Sequence, residues 1–525
     1  MNSGISTPKT EASLPSVTKS DDDAATVVHE QPILDIEHMP VADDPRQWSN
    51  FRKNFILLQV AFGSMIAGLG GNIQNPAIGE METDLPATPS QISLSLSLFI
   101  LLQGVVPLVS SISEVKGRRF VYVVSMAIFT IGSVVVAISK SIGLLIGFRC
   151  FQAAGSSAVM SIGAATLADI YDPVERGTKM GIYYIAPLLG PSIGSIIGGG
   201  LTTAFTWRGP FYFLAIMGGI VFMSFLLFFK DTFRRERSLT YQSVLKARLR
   251  EAKKTLAVEN VKPEDEKSCP NDTDIEKQVI QETLPEIKLG LLDVNPLRPM
   301  AFILRRKYNL FMLTASGLYF AFAFVVVYTT SRTLGTYYLY DPMNIGLVLL
   351  AYGIGTVCGS IVGGRWSDYE LSRLKSQNGG KSTPEMRLRC TVHGLVIFPL
   401  CVIGYAWVIQ ERVNIAGVCV MLFACGFVSM WVLFVYTSTL AYIVDSNVGR
   451  SSSAVALNSC FRGTFAFIFE EIAVPMQDGL GDGWMYTIIA VIMMISGLFT
   501  ILVMLKGAQW RREAEERELA GADEK

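Results

Sequence analysis

Four ionisable side chains stand inside long apolar runs of this 525-residue chain: Arg149, Arg462, Glu470 and Glu471. A charge in hydrocarbon is expensive, so such residues face a cavity or a partner and mark a route for ions or substrates. Asn458 lies one turn before Arg462 and shares its face. Glu470 lies eight residues beyond Arg462, about 80° round a helix of 3.6 residues per turn, whereas Glu471 falls on the opposite side. Glu470 is therefore the acid expected to face a cavity together with Arg462. The competing reading is a carboxylate at a helix end, in the outer interface.

This is chemistry of charge and proton movement, not of bond making. The chain has three histidines, far apart, and eight cysteines without a C-x-x-C pair. All the cysteines except Cys269 fall in or beside apolar stretches, which suits free buried thiols. The sequence therefore predicts no metal site, no nucleophilic triad, no cofactor and no enzyme. Aromatic residues in the same spans, Tyr183, Tyr184, Tyr319, Tyr328, Tyr352, Trp431 and Tyr436, suit amphiphilic or aromatic molecules and cations held over ring faces. Their ordinary alternative is core packing or an interfacial belt. Unpaired arginines would instead favour an organic anion.

The elements that must position these residues follow from composition. Half of the chain is hydrophobic (50%) and only 17% is charged, against about 25% in soluble domains. A spanning helix takes about 20 apolar residues. Apolar runs occur at 54–77, 91–113, 120–139, 142–168, 179–201 and 210–230, and again at 308–331, 343–364, 388–409, 414–441, 452–475 and 485–506. The expected fold is an all-α membrane protein of twelve transmembrane helices in two six-helix pseudo-repeats. Residues 1–52 read as a disordered N-terminal tail, 53–230 as the first half, 231–307 as a central loop, 308–506 as the second half and 507–525 as a C-terminal tail.

Charge sorting sets the orientation. If both tails are cytoplasmic, the short inner loops hold twelve Lys and Arg residues and the outer loops four, which places both termini and the central loop inside. The basic stretch Arg234 to Lys254 reads as a solvated linker or as a helix lying on anionic lipid. The net charge of zero gives no reason to expect a nucleic-acid partner. Small molecules, protons and the lipid bilayer are the expected partners, with a monomer as the working unit.

An acidic residue recurs four positions after a small one in the loops that follow the second and eighth spans, as Ser110 to Glu114 and Gly364 to Asp368. Two repeated halves joined by a long loop describe a secondary transporter with its site near the midplane. Further local patterns are Glu114 to Arg119 with Gly117, Arg118 and Arg119, then Arg149-x-x-Gln152-x-x-Gly155. Next come Asp169-Ile-Tyr-Asp-Pro-Val-Glu-Arg176-Gly177 and Ala186-Pro187-Leu-Leu-Gly190-Pro191-Ser-Ile-Gly194.

In this order and in these spans, the residues resemble the major facilitator superfamily. More narrowly, they resemble the fungal drug:proton antiporters with twelve spans, which include quinidine-resistance, polyamine and mycotoxin exporters. The resemblance covers about residues 50–510 and implies export of small organic compounds by proton antiport. It also implies a plasma-membrane location, with the vacuolar membrane as the alternative. It makes Glu114, Gly117, Arg118, Arg119, Asp169 and Asp368 a cytoplasmic gate, and Gly190, Pro191 and Gly194 a kinked helix that seals one side of the cavity. Arg149, Gln152, Tyr184, Tyr319, Tyr328, Asn458, Arg462 and Glu470 become the substrate and proton route. In the gate, Arg118 is expected to pair with Asp169, and Glu114 to sit over the N-terminal end of the eleventh helix near Ser452. The first span carries no carboxylate, so Glu470 or the Glu114/Asp169 pair remains to take the proton.

Overall fold

The computed structural model describes residues 41, 43–109, 112–234, 297–379, 384–389, 392–447 and 451–523. The spans are α1 (Asn50–Asn72), α2 (Pro89–Val105), α3 (Arg118–Ala137), α4 (Ile142–Ile170), α5 (Pro173–Ala204) and α6 (Gly209–Phe228). They continue as α7 (Lys307–Thr336), α8 (Pro342–Gln377), α9 (Val392–Gln410) and α10 (Ile415–Asp445). The run Ser451–Asp523 is broken at Gly481, where φ is 77°, and this break separates α11 from α12. Among the described residues, eight helices are long and apolar enough to cross a bilayer and three shorter ones are apolar; the longest of the eight holds both α11 and α12. That brings the spans to twelve.

Local signals set the helix starts. Thr88 caps α2 in a reciprocal box with Gln91, and Pro89 fills the first turn, where no backbone donor is needed. Pro173 and Pro342 open α5 and α8 in the same way. Ser141 accepts from the Leu144 N–H at the start of α4.

Helix packing repeats with an offset of six. In the first half α1 packs on α5, α3 on α4 and α6, and α2 on α4; in the second half α7 packs on α11, α9 on α10 and α12, and α8 on α10. The halves meet where α2 lies on α11 and where α8 lies on α5, a pair of contacts related by the same offset. Each half has its own buried apolar cluster. Tyr328, Ala321, Ala466 and Val474 of the second half join the cluster of the first.

The described residues before α1 and after α12 lie on one face, here the terminal face; the opposite one is the loop face. Hydrogen bonds join the halves near the loop face and in its half of the bilayer. Ser331 Oγ donates to Asn75 O at 2.8 Å, Tyr328 OH to Pro89 O at 3.4 Å, and Ser93 and Ser97 of α2 to the Glu470–Glu471 segment of α11. The structure is thus closed at the loop face.

The tail and loops depart from the sequence boundaries. The segment just before α1, read as disordered tail, folds onto the first half: Asp43 bonds Lys230 at 2.7 Å and Arg234 at 3.3 Å, and Arg46 faces Asp172 at 3.7 Å. The charges of Lys230, Arg234 and Asp172 supply the anchor. The central segment also ends in a helix, Leu297–Arg305, whose Met300 and Ile303 are buried against α7, α10 and α12. Residues 1–40 and the basic stretch from 235 to 254 lie outside the described residues.

Candidate functional site

Arg149 is fully buried on α4, seven residues from its loop-face end. Its Nη1 donates to Gly70 O of α1 at 2.8 Å and to Gln152 Oε1 at 2.7 Å. The guanidinium lies over the Phe99 ring of α2, 4.2 Å from the centroid. Gln152, one turn on, donates to Ser133 Oγ of α3 at 2.7 Å. Four helices therefore hold one cation, yet Arg149 Nε and Nη2 have no hydrogen-bond partner among the described residues. A buried charge with unused donors is costly to maintain and suits a group awaiting a counter-charge.

The carboxylate whose field reaches Arg149 is that of Glu470 on α11, eleven residues before Gly481. At 1.5 Å per residue, Arg149 and Glu470 lie roughly 10–17 Å below the loop face, at similar depth. Glu470 is fully buried, and neither of its carboxyl oxygens meets a donor among the described residues. Each of the two lies in the other's electrostatic field, across the boundary between the halves. Tyr328 of α7 is buried within the field of the same acid.

The acid next door is arranged differently. Glu471 Oε1 accepts from Ser97 Oγ at 2.6 Å and from Ser93 Oγ at 3.3 Å. Ser93 Oγ also reaches the Glu470 backbone O at 3.3 Å. Sequence reasoning missed these serines. The alternation Ser93-Leu-Ser95-Leu-Ser97 was the available signal, because small polar residues in a span mark close helix contact.

The other aromatic and polar candidates are spread out. Arg462 lies over the Phe320 ring of α7 at 3.7 Å, and the positive charge acting on Glu470 is that of Arg149. Asn458 is buried on α11. Tyr319 packs inside the second half, where its OH donates to Met493 O at 3.4 Å and its ring lies 5.8 Å from Phe398. Tyr184 is 47% exposed on α5, 5.1 Å ring to ring from Tyr183. It is Tyr183 that is buried, sharing a hydrogen bond with Ser64 of α1 at 2.7 Å. Tyrosines one residue apart on a helix point about 100° apart, so only one of the pair enters the core.

At the terminal face, Arg118 and Asp169 come together, Nε to Oδ2 at 3.2 Å. Arg118 Nη1 also donates to Ser113 Oγ, and Thr232 Oγ1 donates to the same Asp169 oxygen at 3.2 Å. Asp231 Oδ1 accepts from the Arg118 N–H at 3.1 Å. Arg119 turns away and donates to Leu226 O at 2.7 Å. Gly117 has φ 88° and ψ 159°, a region open to glycine alone, and a methyl group there would run into the Asp231 carboxylate. All these described partners belong to the first half, so the cluster ties α3 and α4 to the segment after α6. Asp231 and Thr232 were not foreseen, since they follow the last apolar run and look like loop. The side chains of Glu114, Asp368, Pro191 and Ser452 lie outside the described residues, so the expected contact of Glu114 with the start of α11 is not described.

The helix-kink residues place α5 against α1. A methyl at Gly190 would lie 2.9 Å from Gly68 C, and one at Gly194 would lie 3.3 Å from Leu69 O. Pro173–Ala204 runs as one uninterrupted helix.

Outside the membrane, Lys230, hydrogen-bonded to Asp43, and the Trp48 indole hold the Asp43 carboxyl below the usual carboxylate range.

A twelve-span repeat, closed on one face, with a buried cation and acid facing each other between the halves, is the arrangement of a secondary transporter. Residues 60–470 match the family model described as Major Facilitator Superfamily. The chain belongs to this superfamily. It is 26% identical to the MFS antiporter QDR3 of Candida albicans, over 92% of this chain and 82% of that protein. It is also 26% identical to the Quinidine resistance protein 3 of Saccharomyces cerevisiae, over 92% and 86% of the two chains. The MFS-type transporter phiD of a fungal species is 26% identical over 94% of this chain and 74% of its own. The chain is a multi-pass membrane transporter of this superfamily: it moves a small molecule and is not an enzyme.

Proposed function

We propose that this transporter exports small organic compounds, such as drugs, toxins or secondary metabolites, against an inward flow of protons, and that Glu470 carries the proton. The observation that carries the reading is the Glu470 carboxyl, fully buried without a donor and opposed by Arg149 across the two halves. Such a carboxyl takes up and releases a proton as access to water alternates. The first and second halves, 53–230 and 308–506, rock about this pair, and the Lys/Arg bias of the short loops supports a cytoplasmic terminal face. The protein works as a monomer in the plasma membrane. Relatives named as an antiporter and as a quinidine-resistance protein agree with outward movement of an organic cation or neutral compound.

The unpartnered Nε and Nη2 of Arg149 favour a second reading, export of an organic anion such as a di- or tricarboxylate by the same fold. One experiment separates the two. The protein is expressed in a host stripped of its exporters and challenged with quinidine, neutral toxins and labelled dicarboxylates, with and without an uncoupler. Outward, uncoupler-sensitive movement of quinidine that is lost in Glu470→Gln supports proton antiport. Uncoupler-insensitive movement of dicarboxylates supports the anion reading, and no movement of any compound refutes both.

A further inference from the structure

A groove in the outer wall of the first half takes no part in the charge pair. It runs between α1 and α6, holds about 670 Å³, and is lined by Phe55, Ile216, Gly219, Ile220, Met223 and Phe228 among others. Ile216, Ile220 and Phe228 are 60%, 53% and 64% exposed, and apolar side chains left exposed on a spanning helix face hydrocarbon. Along α6 the lining extends from Ile216 to Phe228, about 18 Å at 1.5 Å per residue. One leaflet's share of the hydrocarbon core is about 15 Å. The groove therefore has the length of a single leaflet, the one on the terminal side, where α1 begins and α6 ends.

A missing side chain leaves room in it. A Cβ at Gly219 would meet only Thr130 Cγ2, at 3.8 Å. Alongside, Gln59 Nε2 donates to Ser224 O at 3.1 Å and to Ser224 Oγ at 2.7 Å, which ties α1 to α6. At the terminal end the rings of Phe55 and Phe228 meet edge to face, 6.1 Å apart. Just beyond that ring pair the surface turns basic. Arg52 lies one turn before Phe55 on the same side of α1, and Lys230 follows Phe228 by two residues. Both cations sit over the Trp48 ring, Arg52 Cζ at 4.0 Å and Lys230 Nζ at 5.7 Å from its centroid. Arg119 reaches the same end of α6 through Leu226 O. Asp43 pairs with Lys230, whereas neither Arg52 nor Arg119 has an ion-pair partner among the described residues.

We propose that the α1–α6 groove seats one anionic phospholipid of the terminal-side leaflet, with an acyl chain in the groove and the headgroup against Arg52, Arg119 and Lys230. An apolar channel one leaflet long, ending in a basic mouth at headgroup level, is complementary to both parts of that molecule. A zwitterionic lipid brings the same chains but no net charge for the mouth. The headgroup draws cations of α1, α3 and the end of α6 to one point, so the lipid braces the first half from outside. Neither the direction of transport nor its coupling to protons enters this inference.

Native mass spectrometry of the detergent-solubilised full chain tests it with dioleoyl phosphatidylserine and dioleoyl phosphatidylcholine, which share their chains and differ in net charge. The unaltered protein should retain one phosphatidylserine per monomer in preference to phosphatidylcholine. Arg52→Gln and Arg119→Gln should each cut that preference about fivefold, the effect of one cation near an anionic lipid surface. Gly219→Leu, which fills the groove, should lose the bound lipid, while Leu498→Trp, at a position of α12 that is 61% exposed, should keep it. Equal retention of the two lipids by the unaltered protein overturns the proposal, as does undiminished phosphatidylserine binding in Gly219→Leu. A lipid-free dimer that Gly219→Leu separates would give the groove to a second copy of the chain and overturn it as well.

Discussion

The α5–α8 seam at the loop face can be loaded with a single methyl group. Gly346 of α8 lies so close to α5 that a Cβ there would stand 2.6 Å from Ser195 O and 3.3 Å from Ile196 Cα. Both obstacles are backbone, so neither can swing aside, and the helices themselves must separate. Overpacking of this kind costs about 1–3 kcal/mol. The cost falls only on the closed face, because the contact vanishes when α8 leaves α5. Gly346→Ala should therefore move the equilibrium toward the open loop face by about 5- to 150-fold, at 1.4 kcal/mol per factor of ten. The reporter is Ser331→Cys, at a buried position whose native hydroxyl bonds Asn75 O across the seam. Its labelling by a membrane-impermeant maleimide added at the loop face follows the open fraction. Adding Gly346→Ala should raise the labelling rate by that factor and slow efflux, because closing is part of the cycle. Gly79, where a methyl would meet nothing within 4 Å, supplies the control, and Gly79→Ala should leave the rate unchanged. A folded Gly346→Ala protein that labels no faster would refute the claim that α5 and α8 form the seal.

Three further outcomes follow from the terminal face. Gly117→Ala forces a side chain into a glycine-only backbone region and against Asp231. It should lower stability by about 1–3 kcal/mol from backbone strain alone, read as a drop in melting temperature in detergent. Arg118→Lys keeps the charge but not the fork that reaches Asp169 and Ser113 together. A loss of about 1–3 kcal/mol is expected, and it should largely disappear when Asp169→Asn is already present. Asp43 is held below the ordinary carboxylate range by Lys230 and Trp48, so its anchor is fully present above the unfolded value and is lost as pH falls through the folded one. Difference fluorescence against Trp48→Phe should accordingly stay flat from pH 5 to 8 and change only in stronger acid; a transition near pH 6 would contradict the anchor.

The twelve spans were legible because hydrocarbon imposes a simple rule on length and polarity, and six apolar runs on either side of a polar stretch satisfy it. The terminal-face pair was legible for a similar reason: an arginine at the start of α3 and an aspartate at the end of α4 stand at the same depth. What was hidden depends on which helix faces which. Rotation about the α11 axis set Glu470 and Arg462 about 80° apart, but it could not tell that α4 would bring Arg149 to the acid while Phe320 took the face of Arg462. Glu471 was placed opposite the cavity, and its face in fact meets the serines of α2. Asp231 and Thr232 escaped notice because a residue just past an apolar run carries no periodic signal of its own.

The repeat that generates the fold is broken at the charges. Counted from the helix starts, the position on α10 corresponding to Arg149 on α4 is Leu422, which is fully buried and apolar. The position on α5 corresponding to Glu470 on α11 is a serine, residue 192. Each half therefore contributes one member of this pair: the first a cation fixed by Gly70, Gln152 and Phe99, the second an acid without a described donor. Were both charges in one half, their attraction would be internal to a rigid body and indifferent to rocking. Divided between the halves, the attraction changes with the distance that rocking alters. A proton bound by Glu470 cancels only the acid's share, so it acts on the motion of one half against the other and leaves the interior of each half undisturbed.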